Sequence, residues 1–118
     1  MIDSGASFHI SPRRECFATY TARDFGTVRM GNHQSCSVIG RGDVILETDM
    51  GAKITLKDVH HVMEIRMHLI STGALDDDGY HNHFGGGKWK LTKGSLVVAR
   101  GVKQGSLYTM QERMRRLT

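Results

Sequence analysis

Apolar and polar residues alternate along several stretches of the chain, and that period of two is the signature of half-buried strands. Val28 and Met30 alternate with Thr27 and Arg29 ahead of Gly31-Asn32, which predicts a strand closed by a turn that tolerates positive φ. From Ser35 to Val59 the pattern predicts a hairpin that turns at Asp49-Met50-Gly51. Ile54, Leu56 and Val59 keep near-period-two spacing on its return strand, with one break. Gly40 and Gly42 inside the outgoing strand predict a bulge or a bend. Lys88–Thr92 and Ser95–Arg100 predict two strands across Lys93-Gly94 with Trp89 and Leu91 on one face, and a third strand falls around Ser106 to Met110.

Other stretches read differently. Phe8-His9-Ile10 predicts a short strand that Ser11-Pro12 breaks, because proline lacks a ladder donor and fixes φ. Arg13 to Tyr20 predicts a helical turn capped by Ser11, with Pro12 at its first position. Gly79 after Asp76-Asp77-Asp78 predicts a left-handed helix stop, although three acids oppose the helix dipole there. Gln111 to Leu117 predicts a helix that is marginal on its own.

At 118 residues and 39% hydrophobic content the chain suits one small globular domain. With aromatics at only 7%, the core must rest on Val, Ile, Leu and the seven Met. No apolar run approaches the roughly 20 residues that span a bilayer, so no membrane role is expected and a soluble, intracellular protein is. Sixteen Lys and Arg against twelve Asp and Glu give +4, which admits a weak nucleic-acid contact. The bases are scattered except at Arg113, Arg115 and Arg116 in the tail. Cys16 and Cys36 read as reduced thiols. No metal or other cofactor is expected, since the seven His lack ligand spacing and the Asp run lacks the alternation of a calcium loop.

The candidate chemistry sits at Asp3-Ser4-Gly5. Two carboxylates that share a proton can hold a water between them and hydrolyse a peptide bond, one acting as base while the other polarises the carbonyl. Ser4 would brace such a loop, and Gly5 would let it turn sharply and approach a partner. Taken alone the tripeptide is equally ordinary turn chemistry.

The wider set of motifs is more specific. Asp3-Ser4-Gly5-Ala6-Ser7-Phe8-His9, Met30-Gly31-Asn32, Asp58-Val59-His60-His61-Val62 and Leu69-Ile70-Ser71-Thr72-Gly73-Ala74-Leu75, in that order, closely resemble the protease region of copia-type retrotransposon Pol polyproteins. Lys93 to Val98 and Gly105 to Tyr108 look like the run-in to the gag-pre-integrase segment.

The resemblance implies an all-β, small closed retropepsin-like β-barrel with one short helix over residues 1–83, and a C-terminal hairpin and linker over residues 84–118. It implies that Leu69-Ile70 back the catalytic loop and lead into the helix, and that a substrate-closing flap lies between Val28 and Gly42. Asp3, Ser4 and Gly5 would be catalytic, with Ala6, Met30, Gly31 and Asn32 binding substrate. Only Met1 and Ile2 precede Asp3, where family members carry a strand, so the chain reads as a fragment of a polyprotein.

The expected activity is that of an aspartic endopeptidase cutting a Gag-Pol polyprotein in the cytoplasm or within virus-like particles. With one Asp-Ser-Gly per chain, a two-carboxylate mechanism requires a homodimer. Two further readings belong to other classes: an inactive relic barrel kept as a structural or dimerising module, and a basic nucleic-acid-binding module.

Overall fold

The computed structural model describes residues 1–30, 33–105, 107–110 and 112–113. In chain order these form β1 (Ile2–Asp3), β2 (Ile10–Ser11), a 3-10 turn (Arg14–Cys16), β3 (Thr21–Ala22), β4 (Thr27–Arg29), β5 (Ser35–Ser37), β6 (Gly40–Thr48) and β7 (Lys53–His61). Then follow β8 (Ile70–Ser71), α1 (Thr72–Asp77), β9 (His81–Gly85), β10 (Lys88–Lys93), β11 (Leu96–Gln104), β12 (Leu107–Met110) and β13 (Glu112–Arg113). The fold is all-β and barrel-like, with α1 the single α-helix among the described residues. No helix there is long and apolar enough to cross a membrane.

Two sheets enclose the main core. One runs β8-β1-β12-β11-β10-β9 and the other β13-β6-β7-β2, with β3 also paired to β6. Ile2, Ile70, Trp89, Leu91 and Ala99 from the first sheet meet Val44, Leu46, Ile54 and Leu56 from the second. A buried hydrogen bond from Thr48 Oγ1 to the Val98 carbonyl, 2.6 Å long, ties the sheets together. A smaller cluster of Ile10, Cys36, Val38, Val62 and Leu69 underlies the separate β4–β5 hairpin. Cys16 and Cys36 are buried in different clusters and are not joined by a disulfide.

The period-two reading of β6 and β7 meets its one break where the ladder shifts register between Gly42 and Val44. Lys57 and Asp58 of β7 there oppose the single Asp43 of β6, and Asp58 takes φ +55 within this bulge, held by a two-pronged ion pair with Arg41. Gly42 is needed for space: a Cβ there would lie 1.9 Å from the Thr19 carbonyl oxygen.

Two expectations are corrected, for the turn after Pro12 and for the C-terminal helix, and one strand goes beyond them. The turn after Pro12 covers only Arg14–Cys16, and Ser11 Oγ accepts from the Arg13 amide without capping it. His81–Gly85, which lacks apolar alternation, is a strand because β10 offers it a full ladder. Glu112–Arg113 pairs with Glu47 and Thr48 of β6, where a helix was expected, since a free sheet edge outbids a short helix with no face to bury. The rest of that expected helix, together with Ser106, lies outside the described residues.

Candidate active site

Strand β1 is two residues long and lies inside the six-stranded sheet. It pairs in parallel with β8, Ile2 with Ile70 and Asp3 with Ser71, and antiparallel with β12, Ile2 with Tyr108. Ile2 and Ile70 are buried, so apolar burial on this central strand fixes where Asp3 leaves the sheet.

Asp3 begins a turn. Its Oδ1 accepts from the Gly5 amide at 2.8 Å, an Asx turn that aims the carboxylate with the loop's own backbone. Gly5 is exposed, and a Cβ added to it would meet only Asp3 Oδ1, at 3.4 Å. Within one chain nothing crowds it.

Ser71 holds the loop from beneath. Its Oγ donates to the Ala6 carbonyl at 2.7 Å and accepts from the Ala74 amide at 3.1 Å, so one hydroxyl both ties the loop and caps α1. Its amide donates to His9 Nδ1 at 3.0 Å. Leu69 and Ile10 exchange two backbone hydrogen bonds of 2.9 Å, which closes the far end of the loop. That Leu69-Ile70 lead into a helix was implied by the resemblance; the ties of Ser71 to Ala6 and His9 join residues more than sixty positions apart and left no local signal.

A cleft of about 800 Å³ opens over this loop, lined among others by Asp3, Gly5, Ala6, Arg29, Met30 and His33. Four residues singled out from the sequence therefore share one cavity. Ser4 borders a second recess with Leu107 and Tyr108 instead. Gly31 and Asn32 lie outside the described residues. The β4–β5 hairpin supplies Arg29, Met30 and His33, its turn closed by the Met30 amide on the Gln34 carbonyl at 2.9 Å. Arg29, His33 and Arg66 also line the cleft and were missed in the sequence, since nothing marked them apart from other exposed bases. Asp3 is the one carboxylate among the described residues lining it.

His9 makes the loop pH-sensitive. Burial pushes it down from 6.5 to about 4, against a weaker pull upward from Asp78. Its Nδ1 must stay unprotonated to accept from Ser71. Because the folded value lies below the unfolded one, its contribution is complete above about pH 6.5 and lost as pH falls toward 4, by up to roughly 3 kcal/mol. Burial lowers His68 to about 4 as well, with the same sign. Urea unfolding at neutral pH and at about pH 4.5 should show this loss, and His9→Asn should remove His9's share of it while that of His68 stays. An unchanged pH slope in that variant would remove His9 from the account.

The family described as the Pol polyprotein, beta-barrel domain, matches residues 1–80 of this chain. Over 108 residues, 92% of the chain, the sequence is 51% identical to the retrovirus-related Pol polyprotein from transposon TNT 1-94 of Nicotiana tabacum. The chain spans only 8% of that protein's length. No solved structure matches.

Proposed function

Since the chain belongs to the β-barrel domain family of Pol polyproteins, we propose that it is the aspartic endopeptidase unit of a copia-type retrotransposon, active as a homodimer on the Gag-Pol polyprotein. What supports this reading is the position of Asp3: its carboxylate is held by the Gly5 amide on a loop tied to Ser71, beside a cleft under the β4–β5 hairpin.

Among the described residues one chain brings one such carboxylate to the cleft. Two loops facing each other across a two-fold axis would bring two, and the open surface at Gly5 leaves room for that approach. Like charges about 3 Å apart cannot both ionise, so the pair carries one proton. The ionised Asp3 takes a proton from the water as it attacks the scissile carbonyl carbon, while the protonated Asp3 donates to the carbonyl oxygen. The proton then passes to the leaving amine as the C–N bond breaks. An extended peptide fills the cleft, and the hairpin closes over it as a flap with Met30 near the substrate. Gag-Pol cleavage places the work in the cytoplasm or within virus-like particles.

The test is cleavage of a Gag-Pol precursor that contains this domain, followed across pH and across dilution. The expected profile peaks on the acidic side of neutrality, and activity per chain falls as dilution separates the dimer. Activity per chain that is independent of dilution, in a protein that sediments as a monomer, would overturn the dimer. No cleavage by a folded dimer would overturn the peptidase.

A further inference from the structure

Phe84 of β9 stands opposite Trp89 of β10, and Tyr108 of β12 stands opposite Ile2 of β1, so both rings lie on the core-facing side of the six-stranded sheet. There they meet edge to face, with centroids 5.1 Å apart. Trp89 and Ile2 are buried in the main core, whereas Phe84 is 48% exposed and Tyr108 is half-buried. An aromatic pair is thus left open where the core ends.

A recess of about 550 Å³ is lined by both rings together with Asp3 and Ser4. Asp3 is the one charged side chain among the described residues lining it. The centres of protein–protein contacts are built this way, rich in aromatic rings and poor in charge. Asp3 therefore borders two cavities, this recess and the cleft. The inference that follows rests on the dimeric-peptidase reading, in which the cleft under the β4–β5 hairpin takes the peptide. A second chain that sets its own Asp3 about 3 Å away has the recess side left for its approach.

We propose that this recess is the apolar centre of the dimer contact, with a second copy of the chain covering Phe84 and Tyr108 beside the paired Asp3 loops. Both rings lie beyond residue 80, where the match to the β-barrel family ends, so β9 and β12 serve the dimer as well as the sheet. The rival occupant is an apolar side chain of the substrate. It would fill the recess only while substrate is bound, and truncating Phe84 would then raise KM and leave the dimer as it was.

The experiment is sedimentation of the full chain over a range of concentrations, beside cleavage of the Gag-Pol precursor. Phe84→Ala should raise the dimer Kd about 10²-fold, since truncating an aromatic anchor costs about tenfold and a two-fold contact counts it twice. Phe84→Leu should raise it less, and Phe84→Asp should leave only monomer. Lys90→Gln, on the opposite face of the sheet, should leave Kd as in the parent. Thermal melts at concentrations where every variant is monomeric should show Phe84→Ala as stable as Lys90→Gln within a few degrees, because the ring is half exposed. A parent dimer whose Kd is the same in Phe84→Ala and Phe84→Asp overturns the proposal and leaves the peptidase reading standing. So does a raised KM with an unaltered dimer, which gives the recess to substrate. A dimer that Phe84→Ala weakens but that cuts no precursor supports the interface and sinks the peptidase alone. A parent that is monomeric at every concentration overturns both.

Discussion

Asp3→Asn should give a folded dimer that cuts the Gag-Pol precursor at least about 10³-fold more slowly than the parent, since general acid and base catalysis contributes on this order. The substitution keeps the side-chain shape, and an amide oxygen can still accept from the Gly5 amide, so the turn after β1 persists. What it removes is the proton exchange between two like carboxylates. The measurement is precursor cleavage by the two proteins at the parent's pH optimum, with sedimentation to confirm that the variant still dimerises. A variant rate within a few-fold of the parent's would remove Asp3 from the chemistry and the peptidase reading with it. Loss of both dimer and activity would call for Asp3→Glu as a second variant, which keeps a titrating carboxyl but moves it by one methylene; recovered activity there would restore the role.

The largest effect on stability is expected at Trp89. Its side chain is 1% exposed, and its indole N–H donates to Asn82 Oδ1 at 3.0 Å. Asn82 in turn donates to the Thr72 carbonyl at 3.1 Å, so the ring links β10 through β9 to the start of α1. Gly101 lies flat against the ring, where a Cβ would sit 3.2 Å from Trp89 Cε3 and 2.3 Å from the Thr109 carbonyl oxygen. The backbone on both sides is fixed by ladders to β9 and β11, so the space left by Trp89→Ala cannot collapse. We expect a loss of about 3–5 kcal/mol in urea unfolding, the range of a large aromatic removed from a rigid core. A loss below about 1.5 kcal/mol would mean that the two sheets repack across the gap.

How far the sequence could be read depended on whether a signal was local. The β6–β7 hairpin and its bulge were legible because Gly40, Gly42 and the missed beat before Val59 are carried by the strands themselves. The faces of Trp89 and Leu91 followed from alternation alone. Strand β9 was not legible, because His81, Asn82 and His83 carry no apolar alternation and become a strand only where β10 lies beside them. Strand β13 was misread for a similar reason: its partner, the edge of β6, lies far away in sequence.

At the site, resemblance and geometry contributed different things. That Asp3, Gly5, Ala6 and Met30 share a cleft rested on the order of motifs, since no periodicity links a loop to a hairpin turn more than twenty residues later. Ser71 and His9 carry the loop through single hydrogen bonds, and a lone serine or histidine announces nothing in a sequence.

The place of β1 between β8 and β12 bears on how a nascent chain acquires this site. Ile2 finds one partner at Ile70 and the other at Tyr108, so Asp3 leaves the ribosome about a hundred residues before the last strand that flanks it. Loop closure over such a separation must precede any reward from the contact. Until residues near Tyr108 are free to dock, β1 has at most one neighbour and the carboxylate has no fixed direction. Synthesis therefore imposes an interval in which the acidic residue exists without the sheet that places it.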